Sequence, residues 1–251
     1  MVRNESGEDV MKRDYIISVA MATFNGEKYI GEQLDSILSQ LNSDDELIIS
    51  DDGSLDNTLN IIGDYKKRFP QISLIKGPGL GVKKNFENAI RNCSGKYIFL
   101  SDQDDIWCSN KVSRVLEEFE RNDCSCILHD CLIFDSNSGL SIYDSFFDWR
   151  NSKLGIFNNV IKNSFIGCCM AFSSEIKELI LPIPDDIEMH DQWIGIIGEY
   201  YSKVIMIKDK LIRYRRHDNN FSKMHHHNIF KMIKNRFILI YRLITRKKRG
   251  F

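Results

Sequence analysis

The chain has 251 residues, of which 43% are hydrophobic and 27% charged, with a formal net charge of −1. That length and apolar content can bury a full core, which excludes a disordered chain and fits one large domain or two fused halves. The near-neutral sum hides a segregation: from Asn219 to Phe251 there are nine Lys or Arg and no Asp or Glu, so the remainder, −1 less nine, carries −10.

The opening residues, MVRNESGEDVMKRD, are polar and charged, and 1–14 reads as a loose lead rather than a secretory h-region. Seven cysteines, at 93, 108, 124, 126, 131, 168 and 169, lie mostly within apolar runs. With no leader ahead of them, they predict reduced thiols and a cytoplasmic protein. From Tyr15 short apolar runs alternate with helical patterns. Ile16 to Ala22 reads as a strand ending in Thr23-Phe24-Asn25-Gly26, and Ile30, Leu34, Ile37, Leu38 and Leu41 then share a helical face. Glu46 to Ser50 is a second strand, closed by Asp51-Asp52-Gly53-Ser54. The next helix turns Ile61, Ile62, Tyr65 and Phe69 inward and ends at Pro70. Ile72 to Ile75 is a third strand, GPGLG at 77–81 an ordinary turn, and Val82, Phe86, Ala89 and Ile90 mark a third helix before the strand Tyr97 to Leu100.

Strands separated by helices imply βαβ units and a mostly parallel, Rossmann-like sheet, whose ligands gather at the carboxyl ends of the strands. Three polar clusters fall there: Thr23/Asn25, Asp51/Asp52, and Asp102, Asp104 and Asp105 in YIFLSDQDDIW. Acids aimed at one point repel each other unless a cation sits among them, which suggests a divalent metal site. No Walker loop or GxGxxG follows the first strand, so a nucleotide needs another grip. An Asp at a strand end suits a base imide or ribose hydroxyl, while Ser54 reads as a helix cap.

Further along, Cys124, Cys126, His129 and Cys131 alternate with apolar residues as in a buried strand and lack the C-x-x-C spacing of a zinc site. Cys168 and Cys169 read as small packing residues. Asp191 precedes Trp193, Ile194 and Ile197, which suits either a helix N-cap or a catalytic carboxylate. Leu211 to Arg216 is strand-like and ends at His217, with Arg215 on the same side and Arg216 on the other. The carboxylate oxygens after the fourth strand favour Mn2+ or Mg2+ over zinc. His225 to His227 read as a hinge. Past it Ile229, Ile233, Phe237, Ile240 and Ile244 recur at near-helical spacing among Lys231, Lys234, Arg242 and the terminal RKKR. This is a basic amphipathic helix, too interrupted by charge to span a bilayer; it suits either an anionic membrane surface or docking on its own domain with a solvated basic face.

Several segments in order resemble the inverting glycosyltransferases of family 2, with the GT-A fold, and most closely bacterial rhamnosyltransferase-like members. They are VAMATFNGEKYIGEQLDSILSQ, IISDDGSLDNT, YIFLSDQDDIWCSNK, FIGCCMAFS read as a small-residue strand, MHDQWIG and YRRHDNNFS, spanning about Ile16 to Ser222. The resemblance implies a glycosyltransferase domain over 15–222, with a nucleotide-binding half at about 15–120, an acceptor half at about 121–222 and a basic tail over 223–251. It implies transfer of a hexose or deoxyhexose from a UDP- or dTDP-linked donor to a glycan or lipid-linked acceptor, in bacterial surface polysaccharide synthesis. Carried over by residue, it places Thr23, Asn25, Glu27, Asp51, Asp52, Asp102 and Asp105 around the nucleotide-sugar, and Asp104 and His217 on the metal. Asp191 becomes the general base, and Gly167, His190 and Trp193 fall on the acceptor side. Trp107 and Trp149 are further candidates to stack on sugar, and the loops between Phe134 and Phe165 are expected to select it.

Two other readings compete. A receiver-like magnesium-binding module also carries an acid pair at a strand end, but is about half this length. A glycosyltransferase-shaped scaffold without activity conflicts with intact Asp102, Asp104 and Asp191.

Overall fold

A computed structural model describes residues 2–3, 9–10, 15–217 and 229–246. The expected boundary at 222/223, the histidines at 225–227, most of the 1–14 lead and the end of the RKKR run lie outside the described residues.

The strands β1 (Val2–Arg3) and β2 (Asp9–Val10) pair with each other. The alternating part follows as β3 (Ile17–Thr23), α1 (Ile30–Leu38), β4 (Glu46–Asp51), α2 (Thr58–Arg68), β5 (Ile72–Lys76), α3 (Val82–Asn92) and β6 (Tyr97–Ser101). All seven residues of β3 and all five of β6 are buried, as expected of parallel strands covered on both faces. Ile30, Leu34, Ile37 and Leu38 bury one face of α1. In α2 only Ile62 of the expected inward set is fully buried, because this helix lies beside the edge strand β5 and is covered from one side.

The second half holds β7 (Ile106–Trp107), α4 (Lys111–Arg121), β8 (Cys126–Asp135), β9 (Ser141–Tyr143), α5 (Phe146–Arg150) and α6 (Ile156–Ile161). After them come β10 (Met170–Ser173), α7 (Lys177–Ile180), α8 (His190–Tyr201), β11 (Val204–Arg216) and α9 (Ile229–Thr245). FIGCCMAFS is only partly a strand: Gly167–Cys169 forms a 3-10 turn and extended structure begins at Met170.

Among the described residues one sheet runs β5-β4-β3-β6-β10-β8-β11-β7, with β9 on β8. The first four strands are parallel, in a register that sets Thr23 opposite Asp51, Asp51 opposite Lys76 and Met21 opposite Ser101. Their carboxyl ends therefore share one edge. Strand β10 lies antiparallel between β6 and β8, so the sheet runs without a break from the first half of the chain to the second.

Candidate active site

At that edge a cleft of about 530 Å³ opens, lined by Thr23, Asp52, Gly79, Gly81, Asn85, Asp102, Asp104, Gly167, His190 and Asp191 among others. Its first wall is two loops that hold each other. Asn25, at a φ of 49°, accepts the Leu55 N–H on Oδ1 at 2.8 Å, and Glu27 accepts the Asn57 N–H at 2.8 Å. Both side chains thus complete the neighbouring loop's backbone and stand outside the cleft lining. Asp51 is buried, and its carboxylate accepts from Thr23 Oγ1, Ser54 Oγ, Gly53 N and Ser54 N at 2.5–3.1 Å. Those four bonds use its acceptor capacity, so Asp51 fastens the turn and Asp52 is the acid that reaches the cleft. Ser54 belongs to that network and does not cap α2, which starts at Thr58 with Asn57 before it.

Asp52 accepts the amides of Gly79 and Gly81, each at 2.7 Å. GPGLG is thus more than an ordinary turn: the positive φ values of Gly79 and Gly81 let the backbone fold against Asp52 and form part of the cleft. Asn85, unremarked in the sequence, is buried there and donates to the carbonyls of Thr23 and Ser50.

The acids after β6 take three different positions. Asp102 is half-buried at the cleft, and burial, reinforced by the charges of Asp104 and Asp191, pushes its carboxyl up to about 7. Asp104 lies at the cleft with Oδ2 2.8 Å from His217 Nε2. Asp105 is wholly buried behind it. Its Oδ1 accepts the Arg215 N–H at 3.0 Å, its Oδ2 has no hydrogen-bond partner, and burial holds its carboxyl well above the usual carboxylate range. Arg215 braces this loop. It donates from Nε to the Asp104 carbonyl at 2.8 Å and pairs with Glu32, on the His217 side of β11 as strand alternation requires.

Lys111 and Cys168 were not foreseen. Lys111 is fully buried in α4, donates to the Cys168 carbonyl at 2.8 Å and lies 3.9 Å from the centre of the Trp107 ring. Burial lowers its ammonium to about 8, and the nearby charge of Asp105 opposes that fall. Cys168 leans its thiol toward both Asp102 and Asp105, and the ligand atoms of these three lie within 4.8 Å of one another. A lysine on the buried face of an amphipathic helix, inside WCSNK, was the available signal.

Asp191, which also lines the cleft, sits in the first turn of α8. The cap position is Met189 and no side chain caps the helix, so the N-cap reading gives way to a carboxylate held in the positive field of the helix start. Burial raises Asp191 to about 6, against hydrogen bonds from Gln192, Asn163 and Gly167 that favour the charged form. His190 is buried and stacked on Phe86 at 4.1 Å, with neither ring nitrogen hydrogen-bonded; burial lowers it to about 3, so the ring is neutral. It makes no bond to Asp191. A Cβ on Gly167 would come within 2.9 Å of His190 Nε2, which explains a glycine there.

Trp193, expected on the acceptor side, does not line the cleft. It is completely buried, and its indole N–H donates to the Ile180 carbonyl at 2.9 Å. Trp107 is core, and Trp149 stacks on Tyr143. All seven cysteines are free thiols. Cys124, Cys126, His129 and Cys131 do not gather as ligands among the described residues.

The donor set fits a hard divalent cation. Asp104 Oδ2 and His217 Nε2 are about as far apart as neighbouring ligands of an octahedral ion at about 2.1 Å. The mutual repulsion of Asp102, Asp104 and Asp105, which helps to raise Asp102 and Asp105, supplies a physical reason to bind one.

Residues 18–181 match the family described as glycosyl transferase family 2. A dTDP-rhamnosyl transferase from Shigella flexneri, RfbG, is 31% identical over 217 residues, covering 80% of this chain and 72% of its own length. Among solved structures, TarS 1-349 of S. aureus in complex with UDP-GlcNAc matches with a TM-score of 0.73 at 15% identity, over 93% of this chain and 68% of that one. A mannosyltransferase from Pyrobaculum calidifontis in complex with GDP-Man and Mn2+ matches at 0.63 and 17% identity, over 82% and 59%. At these identities the structures speak for a shared fold.

Proposed function

The chain belongs to glycosyl transferase family 2, is a glycosyltransferase and carries the GT-A fold, and from that premise we propose the reaction it performs. It moves a hexose or deoxyhexose from a UDP- or dTDP-linked donor to a hydroxyl of a glycan or lipid-linked acceptor, with inversion, in bacterial surface polysaccharide synthesis. One observation carries this reading: Asp102 and Asp104, from the end of β6, and Asp191, from the start of α8, line a single cleft. A displacement at a sugar carbon needs a base and a site for the leaving group around one ring, because the attacking hydroxyl and the leaving diphosphate must flank it.

In this reading Thr23, Asp52 and Asp102 face the nucleotide-sugar, while Asn25, Glu27 and Asp51 hold the loops that shape its pocket. Asp191 takes the proton of the acceptor hydroxyl as the new carbon–oxygen bond forms and the bond to the diphosphate breaks. Asn163 and Gly167 orient that carboxylate, Gly167 lies beneath the acceptor, and the neutral His190 lines the same cleft. Asp105, tied to Arg215, keeps the acid loop in place. A Mn2+ or Mg2+ held by Asp104 and His217 would offset the charge that develops on the departing diphosphate.

The Shigella relative supports a dTDP-linked deoxyhexose, and the TarS structure a UDP-linked sugar. We place the work at the cytoplasmic face of the membrane. No helix among the described residues is long and apolar enough to cross a bilayer, and the acid-free basic segment from Asn219 favours contact with anionic headgroups.

The test is a thermal-shift panel of UDP-, dTDP- and GDP-linked sugars with and without Mn2+. At ligand concentrations about 100-fold above Kd, a UDP- or dTDP-sugar with Mn2+ should stabilise the protein by about 2.7 kcal/mol, a rise of roughly 5–10 °C. A panel without any metal-dependent shift would reject the reading.

A further inference from the structure

Helix α9 has two apolar faces. Leu239 and Leu243 are buried where the helix packs on α6 and α8. Ile233, Phe237, Ile240, Tyr241 and Ile244 are 40–70% exposed. At about 100° per residue these five fall within an arc of roughly 100°, on the side away from Leu239 and Leu243. Docking on its own domain accounts for the inner face and leaves the outer one presented to the surroundings. The adjoining helix adds to it: Phe157 and Ile161, one turn apart on α6, are 78% and 48% exposed, and Arg236 ties the two helices by donating to the Ile161 carbonyl at 2.7 Å.

Charge selects the occupant. Helix α9 contains Lys231, Lys234, Arg236 and Arg242 and no acid. The acids beside it are engaged within the protein, Asp186 by Arg242 at 2.8 Å, Asp185 by Lys84 at 2.7 Å and Glu188 by Asn235 at 2.6 Å. At about 100° per residue Lys234 and Arg236 fall at the two borders of the arc, while Arg242 faces Asp186 on the inner side; an apolar arc bordered by bases matches an anionic bilayer, whose headgroups meet the borders while the apolar side chains sink about 5–10 Å toward the acyl boundary. A second copy of the chain would also cover the arc, but would bring two like-charged helices together.

The same helix grips the acceptor side of the cleft. Arg242, Asn235 and Arg246 bind Asp186, Glu188 and the Leu181 carbonyl, all in the segment that leads into α8 and its Asp191. We propose that α9 and α6 together form a docking surface for an anionic lipid bilayer, and that this surface brings the acceptor side of the cleft to the membrane, where the acceptor is lipid-linked. The statement about the acceptor rests on the glycosyltransferase reading; the docking surface does not.

The experiment is flotation of the full chain with vesicles of phosphatidylcholine containing about 30% phosphatidylglycerol, and with phosphatidylcholine alone. Wild type should float with the first and remain behind with the second. The double variant Phe237→Asp/Ile244→Asp should lose at least about tenfold in bound fraction, because two exposed apolar anchors become acids. Leu140→Asp, changed at a side chain equally exposed but on the loop before β9, should bind as wild type. Failure of wild type to float, or equal binding by the double variant, overturns the proposal; so does a wild-type dimer in light scattering that the double variant dissolves without any flotation. For the acceptor, transfer to a polyprenyl-diphosphate sugar should fall in the double variant when the sugar is in those vesicles and stay unchanged in detergent. Equal rates in vesicles overturn that half. Donor-dependent thermal shifts in the double variant report the cleft separately, so their absence in wild type as well would count against the transferase reading alone.

Discussion

Asp191→Asn should lower transfer to the true acceptor about 10²- to 10⁴-fold while donor binding with Mn2+ stays within about twofold. The amide keeps the size of the carboxylate and part of its hydrogen bonding, but cannot take a proton. Because burial raises Asp191 to about 6, the wild-type rate should climb as pH rises through that value and level off above it, and the variant should lose this limb. The same shift has a cost in stability. The folded carboxyl holds its proton more tightly than the unfolded one, so stability falls as pH rises from about 4 to 6. At pH 7 the charged group costs up to about 3 kcal/mol. The asparagine variant should therefore melt higher than wild type at pH 7 and lose that advantage near pH 3.5. Wild-type transfer rates in the variant would refute the base assignment.

Asp104→Ala should reduce metal affinity by about 100-fold or more and abolish metal-dependent nucleotide binding, measured by titrating Mn2+ into the protein with UDP or dTDP present. His217→Ala should act in the same direction. Since the two side chains are 2.8 Å apart, the double variant should lose less than the product of the single losses. Folding is expected to survive: Arg215 grips the Asp104 backbone carbonyl rather than its side chain, and removing one acid relieves Asp102 and Asp105. Retained Mn2+-dependent binding in Asp104→Ala would remove it from the metal site.

The alternation of apolar runs was enough to read β3 to β6 and their helices, because parallel strands buried on both faces leave an unambiguous signal. It also brought Thr23, Asp52, Asp102, Asp104 and Asp191 to one edge. Which of two neighbours enters the cleft was less legible. Asp51 and Asp52 are adjacent, yet the first is consumed by its own turn and the second reaches across to the glycine loop and lines the cleft, a matter of local hydrogen bonds that composition does not reveal. Trp193 could have been excluded: two residues on from Asp191 in a helix, it points roughly 200° away and must enter the core if Asp191 lines the cleft. That Asn25 and Glu27 stand outside the cleft lining was not legible, because loop polar residues satisfy backbone amides as readily as ligands. Lys111 escaped notice because lysines are rarely buried, and this one is held by the Cys168 carbonyl together with the Trp107 ring and the charge of Asp105, which come from two separate stretches of chain.

The antiparallel strand β10 also limits how this protein could be re-engineered. Ala171, Phe172 and Ser173 pair with Phe99, Ile98 and Tyr97 of β6 on one side, and with Ile127 and Cys126 of β8 on the other. A chimera that exchanged everything after about residue 120 with a relative would have to rebuild both ladders and the packing on each face of them. Replacing the stretch from Leu140 to Ser164, which carries β9, α5 and α6, would leave these ladders untouched. Such a graft keeps the shared sheet as a fixed chassis and leaves the residues that line the cleft in place, but it must retain Asn163, which hydrogen-bonds Asp191.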